Sequence, residues 1–201
     1  EFISNSNPLK FFFNLDEALK NSDMCFITVP TPSDKDGAFS NSFIMKVFDD
    51  IADYLKSYKK NSRNPYILVI NSTVSPGSID NEFVPYLEQK GLVNSDDFCI
   101  IYNPYFVALG DVLNGLKFPD LILIGCQNEY AKNKILNLYN KIYESDVNYR
   151  VMNFKEAELT KLLVNSYLTL KISFSNLVRD ISLKQEVNSK IILETIGTDS
   201  R

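Results

Sequence analysis

No histidine occurs among the 201 residues. That absence removes the Ser-His-Asp arrangement and every metal site built on imidazole, and no other metal-ligand spacing takes its place. A base acting near neutral pH must then be Lys, Glu, Asp, Tyr or Cys. Cysteine is almost as scarce. Cys25, Cys99 and Cys126 follow no CxxC pattern, and each lies in or beside an apolar run (MCFITV, FCIIY, LILIGC). They read as reduced, structural thiols of a cytoplasmic protein. No apolar run approaches the length of a membrane span, and no leader pattern opens the chain. Nor is there a basic surplus. A net charge of −4 argues against nucleic acid or an anionic membrane as the main partner.

What is present suffices for a packed core: 45% of the residues are hydrophobic, as in an ordinary globular domain. The length suits one domain, or one domain and part of a second. Taken in order, the residues predict a short buried strand over 9–14 (LKFFFN) and a small helix over 15–21. A strand over 25–29 runs into Pro30-Thr31-Pro32-Ser33. The next helix reaches about Tyr58, with Phe43, Val47, Ile51 and Leu55 on one face. Tyr66 to Ile70 is a continuous apolar strand followed by Asn71-Ser72-Thr73-Val74-Ser75-Pro76-Gly77, and a helix spans 79–89. Phe98 to Tyr102 is the next strand, leading into Asn103-Pro104-Tyr105-Phe106-Val107. Asn114-Gly115 reads as a turn. Strands over 120–125 and 148–152 flank a helix over 129–143, and a last helical piece covers 191–196.

Continuously apolar strands alternating with amphipathic helices indicate a parallel sheet covered on both faces. Ligands bind such sheets beyond the C-terminal ends of the strands. Three strands end there in polar, proline-containing loops: VPTPS, NSTVSPG and NPYFV. Asn71-Ser72-Thr73 also spells a glycosylation sequon, which reads as coincidence.

The longest element is a single helix over Phe154 to Ile181, uninterrupted by Gly or Pro, with an apolar stripe of Leu159, Leu162, Leu163, Leu170, Phe174, Leu177, Val178 and Ile181. Beside the stripe runs a polar line, Glu158, Lys161, Asn165, Thr169 and Asn176. Lys161 and Asn165 stand one turn apart on the same side. An ammonium and an amide flanked by leucines either reach water along their stems or serve a site.

Seven groups of residues then fall in one order and spacing. They are Val29-Pro30-Thr31-Pro32; Ser72-Thr73-Val74 with Pro76-Gly77; Asn103-Pro104 with Phe106 and Gly110; Pro119-Asp120 with Ile124-Gly125; Ala157-Glu158-Leu159-Thr160-Lys161 with Asn165; Lys171-Ile172-Ser173-Phe174 with Asn176; and Gly197 with Asp199 and Arg201. In these the chain resembles the UDP-glucose/GDP-mannose dehydrogenase family. The resemblance implies an α/β fold, with a partial Rossmann-like parallel sheet over 1–152. A long central helix of an all-α dimerisation domain follows over 153–201. The family's Gly-rich turn would precede Glu1, and its nucleophilic cysteine would follow Arg201.

The activity implied is NAD-dependent oxidation of a nucleotide sugar at C6 to the carboxylate, with a homodimer built on the central helix. Lys161 and Asn165 would stabilise charge on the C6 oxygen, and Thr73 would orient water or the nicotinamide. Val29, Pro30, Thr31, Pro32 and Ser72, with Thr73, would border NAD. Tyr105, Phe106 and Val107 would contact the substrate, and Arg201 would reach it across the dimer. The family usually has Glu where this chain has Tyr105, and commonly a second Glu where it has Leu109. Tyr is a poor base near neutral pH. Two other readings stay open: a 3-hydroxyacid-type dehydrogenase making one two-electron oxidation, and a nucleotide-sugar-binding module that has lost catalysis.

Overall fold

Two runs of continuous apolar character set the architecture. The computed structural model describes residues 10–59, 64–107, 110–143 and 147–200. In it β2 (Tyr66–Ile70) and β3 (Phe98–Tyr102) are buried at every position. Alternate residues of β2 enter different cores. Leu68 and Ile70 pack with Ile44, Phe48, Ile51 and Leu55, whereas Ile67 and Val69 pack with Ile101, Ile124 and Ile135. Both faces of the sheet are therefore covered, as the period-2 geometry of a strand requires of a run without alternation.

β1 (Met24–Ile27) lies parallel to β2, and β2 parallel to β3. β4 (Ile122–Gly125) and β5 (Tyr149–Met152) complete a five-stranded sheet in the order β1-β2-β3-β4-β5. One correction to the expected parallel sheet is needed: β4 meets β3 antiparallel, through the single pair Tyr102–Gly125. Between these strands the described residues include one helix, the six-residue α4 (Val112–Lys117). Gly125 permits the crossing, because a Cβ there would lie 2.8 Å from that of Ala157 and 3.2 Å from that of Tyr102.

Helix α4 itself replaces the turn expected at Asn114-Gly115. That dipeptide signals a hairpin only between strands. Here Val112 and Leu116 sit at helical spacing around it. The strand expected over 9–14 is also absent: residues 10–14 are not extended into the sheet, and Phe11 and Phe13 are exposed. Three consecutive aromatics carry no alternation, and no strand among the described residues pairs with them. Leu9 lies outside the described residues. Helix α1 (Leu15–Lys20) follows, capped by Asn14, whose Oδ1 accepts from the Asp16 amide at 2.8 Å.

The buried face of α2 (Ser42–Lys59) is Ile44, Phe48, Ile51 and Leu55. Phe43 is exposed and Val47 only half-buried, so the expected face is rotated. Steps of four residues drift by about 40° each on a 3.6-residue helix, whereas mixed steps of four and three hold one line. The helix expected over 79–89 begins as a π-helical turn, Ile79–Phe83, and becomes α3 (Val84–Gln89). Pro85 is the cause. Its nitrogen carries no proton for the Asn81 carbonyl, and its ring crowds that oxygen, so the turn widens until the Val84 amide bonds to the Ile79 carbonyl.

Contacts divide the chain into two units, Glu1–Leu159 and Thr160–Arg201. The first holds the sheet, its flanking helices including α5 (Glu129–Ile142), and the opening of α6 (Phe154–Lys184). The second is the rest of α6 and α7 (Ser189–Ile196). On α6 the apolar stripe is largely uncovered: Leu163, Leu170, Phe174, Leu177 and Ile181 are exposed, and Val178 is buried. Among the described residues no helix is long and apolar enough to cross a membrane.

Candidate active site

Because β1, β2 and β3 run parallel, their C-terminal ends share one edge of the sheet. The three proline-containing loops start there side by side. Each of these strands is followed at once by polar residues whose side chains bond sideways instead of outward. Ser72 Oγ accepts from the Val29 amide at 2.9 Å and donates to the Val29 carbonyl at 2.6 Å, clamping the first loop to the second. Thr28 donates to Asn71 Oδ1 at 3.2 Å, and Asn71 Nδ2 donates to the Asn103 carbonyl at 2.6 Å, joining the second loop to the third. Asn103 Nδ2 continues to the Leu123 carbonyl at 2.8 Å, while Asn103 Oδ1 accepts from the Tyr139 hydroxyl on α5. Asn71 and Asn103 are both buried. Their role was not read from the sequence. The available signal was an asparagine directly after a strand with no polar position of its own.

The clamps leave a consistent set of groups at the edge. Val29, Thr31 and Thr73 are half-buried, Pro30 and Pro32 are exposed, and Ser72 is buried. No charged side chain occurs from residue 28 to 33 or from 71 to 79. In the third loop Phe106 packs against the core, while Tyr105 and Val107 are exposed. Partial burial raises the Tyr105 phenol above its ordinary range, so it stays protonated near neutral pH. Leu109 and Arg201 lie outside the described residues.

Glu158, at the end of the first unit, is fully buried. It accepts from the amides of Gly77 and, at 2.9 Å, Ile79. Gly77 has φ +89°, and a Cβ there would meet Asn81 Nδ2 at 2.7 Å, so the turn requires glycine.

Lys161 and Asn165 lie in the second unit, one turn apart on α6. Their surroundings differ. Lys161 is only 7% exposed, and burial lowers its ammonium below the ordinary lysine range. Asn165 is exposed, and its carbonyl accepts from Thr169 Oγ1 at 3.0 Å. Of the expected residues, the fold thus gathers Val29–Pro32, Ser72, Thr73 and the Tyr105–Val107 loop at one sheet edge, and sets Lys161 and Asn165 together on one helix.

The cysteines are free thiols. Burial raises all three, with Cys99 pushed up to about 12. Only the thiolate attacks, and its fraction falls tenfold per unit of pKa. Alkylation at pH 8 is therefore expected to label Cys99 about 10³-fold more slowly in the native protein than after unfolding in urea, with Cys25 and Cys126 retarded less. Peptide mapping of a labelling time course checks this; rapid native labelling of Cys99 would contradict its burial.

Comparison with known proteins bears on the family and the fold. Residues 2–143 match the NAD binding domain of the UDP-glucose/GDP-mannose dehydrogenase family, and residues 155–201 match that family's central domain. The UDP-glucose 6-dehydrogenase of Rickettsia typhi is 31% identical over 196 residues, which cover 98% of this chain and 42% of the relative. Among solved structures, a UDP-glucose dehydrogenase from the archaeon Pyrobaculum islandicum superposes with a TM-score of 0.80 at 29% identity, over 92% of this chain and 41% of that one. A GDP-mannose dehydrogenase from Pseudomonas aeruginosa shares the fold, with a TM-score of 0.82 at 24% identity over 92% of this chain and 41% of that one. The chain thus spans about two fifths of the length of the relatives it matches. With both family domains matched in order, and a Rossmann-like sheet ahead of the long helix, the chain belongs to the UDP-glucose/GDP-mannose dehydrogenase family, and NAD is the cofactor of its first domain.

Proposed function

We propose that the full-length protein oxidises the C6 hydroxyl of a nucleotide sugar to the carboxylate, making a polysaccharide precursor in the cytoplasm. The observation that carries this reading is the pair Lys161 and Asn165, one turn apart on the helix that matches the family's central domain. Bound NAD supplies the hydride acceptor. The neutral, partly buried edge formed by Val29–Pro32, Ser72 and Thr73 fits a carboxamide and a ribose, which need hydrogen bonds and no counter-charge. Lys161 holds a positive charge, and can yield a proton, where negative charge develops on the C6 oxygen. Its depressed pKa eases that exchange. Asn165 adds an amide N–H, and Thr73 orients water or the nicotinamide end. Tyr105, Phe106 and Val107 bind the sugar through their backbone, and Arg201 reaches it from a second copy.

The exposed Leu163, Leu170, Phe174, Leu177 and Ile181 support a homodimer through α6, since a stripe of that extent on one helix calls for a cover. Tyr105 in place of glutamate leaves water activation in the last step to another group.

Supplying the full-length protein with UDP-glucose, GDP-mannose and N-acetylhexosamine analogues tests the proposal. Two NADH per sugar are expected. One NADH per sugar would point to the 3-hydroxyacid-type reaction, and binding without turnover to a module that has lost catalysis.

A further inference from the structure

The reaction proposed above gives Glu158 no task, yet its carboxylate is fully buried and both its oxygens are engaged. The Gly77 and Ile79 amides it holds open the π-helical turn Ile79–Phe83, where N–H groups have no partner within the helix. An apolar residue would close a core at less cost than a carboxylate. Even with two charge-assisted bonds, desolvation dominates: Glu158 titrates above the ordinary carboxylate range, Asp80 adding to the effect while the two amides and Lys155 oppose it. Helix propensity does not demand it either, since alanine or leucine would serve the first turns of α6 as well.

What the carboxylate does is fix one end of a loop. The segment after β2 is clamped at Ser72 by Val29 and at Gly77 by Glu158. Thr73 lies between the two clamps, with Val74 buried beside it. The two anchors come from distant parts of the sequence, 43 and 81 residues away, so neither follows from local turn geometry.

We propose that Glu158 is a positioning residue that holds the Ser72–Gly77 loop, and with it Thr73, in the conformation that receives the nicotinamide half of NAD. The inference rests on the assignment of Thr73 to the cofactor, made above. It predicts a loss of cofactor affinity without a loss of the sheet.

The experiment uses the full-length protein with Glu158→Ala and Glu158→Gln, read by NAD titration and by amide hydrogen exchange. In Glu158→Ala the Gly77 and Ile79 amides should exchange about tenfold faster or more, while β2 and β3 keep their protection. NAD should bind about tenfold more weakly, because a shift of about 1 Å in a positioning group has effects of that order or larger. Glu158→Gln keeps one acceptor oxygen and should fall between, and it carries the comparison if the alanine variant does not fold. KM for NAD should rise while KM for the sugar nucleotide holds. Faster exchange at 77 and 79 with unchanged NAD affinity overturns the proposal, as does exchange that quickens evenly across the sheet. Affinity and exchange are read without catalysis. A wild-type protein that binds NAD but oxidises no sugar therefore removes the dehydrogenase reading and leaves this one standing.

Discussion

Replacing Lys161 with methionine in the full-length protein should lower kcat by about 10²- to 10⁴-fold, the range for loss of a positioned acid–base or charge-stabilising group. The variant should also change how stability follows pH. Burial lowers the folded-state pKa of Lys161 relative to the unfolded value. In the window between the lowered value and the ordinary 10.5, the folded protein therefore binds fewer protons than the unfolded chain. Stability contributed by this group rises with pH through that window, and the penalty of burying the ammonium is fully present below it. Methionine removes this titration and keeps much of the volume. As pH rises toward 10.5, the urea midpoint of wild type should therefore gain on that of Lys161→Met. Low activity in a well-folded variant would mark Lys161 as chemical. Full activity would remove it from the mechanism, and with it the observation on which the proposed function stands.

Asparagine 103 should show the reverse pattern, a large loss of stability from a residue with no reactive group. Its backbone amide donates to the Ile70 carbonyl at 2.9 Å, and its carbonyl accepts from Asn71. Its side chain serves Leu123 and Tyr139. One residue thereby joins β2, β3, β4 and α5 while only 3% exposed. Asn103→Ala keeps the backbone bonds but leaves the Leu123 carbonyl and the Tyr139 hydroxyl buried without this partner. At about 1–3 kcal/mol for each of the two orphaned groups, the expected destabilisation is about 2–6 kcal/mol. Urea unfolding measures it. Tyr139→Phe should cost less, since it orphans one acceptor, and the double variant should be less destabilised than the sum, because the two share a bond. Additive losses would mean that the short contact between them carries no energy.

How far these residues could be read beforehand depended on whether their signal was local. β2 and β3 were legible to the residue, because runs as apolar as YILVI and FCIIY have only one place in a sheet covered on both faces. The loops at their ends followed from that. The LKFFFN run shows the limit of the same reasoning: apolar residues make a strand only where a neighbour exists to pair with. On α2 the expected Ile51 and Leu55 are buried, but Ile44 and Phe48 replace Phe43 and Val47, because a strict four-residue spacing drifts around the helix. The direction of β4 goes with the close approach of Gly125 to Tyr102 and Ala157, a relation between distant segments. Glu158 and Asn103 were beyond reach for a similar reason: the groups they satisfy lie 79–81 and 20–36 residues away. Lys161 and Asn165 were legible as a pair because helical periodicity places them together, but their unequal burial was not.

The bond from Asn71 Nδ2 to the Asn103 carbonyl also bears on how this protein can be made. That nitrogen is the atom to which an oligosaccharide is joined when Asn-Ser-Thr passes through a eukaryotic secretory route. In the folded chain it is sealed in the interior and already donating. A sugar tree attached before folding would hold the ends of β2 and β3 apart, so a secreting host would produce modified chain unable to close its sheet. Expression without export avoids the problem.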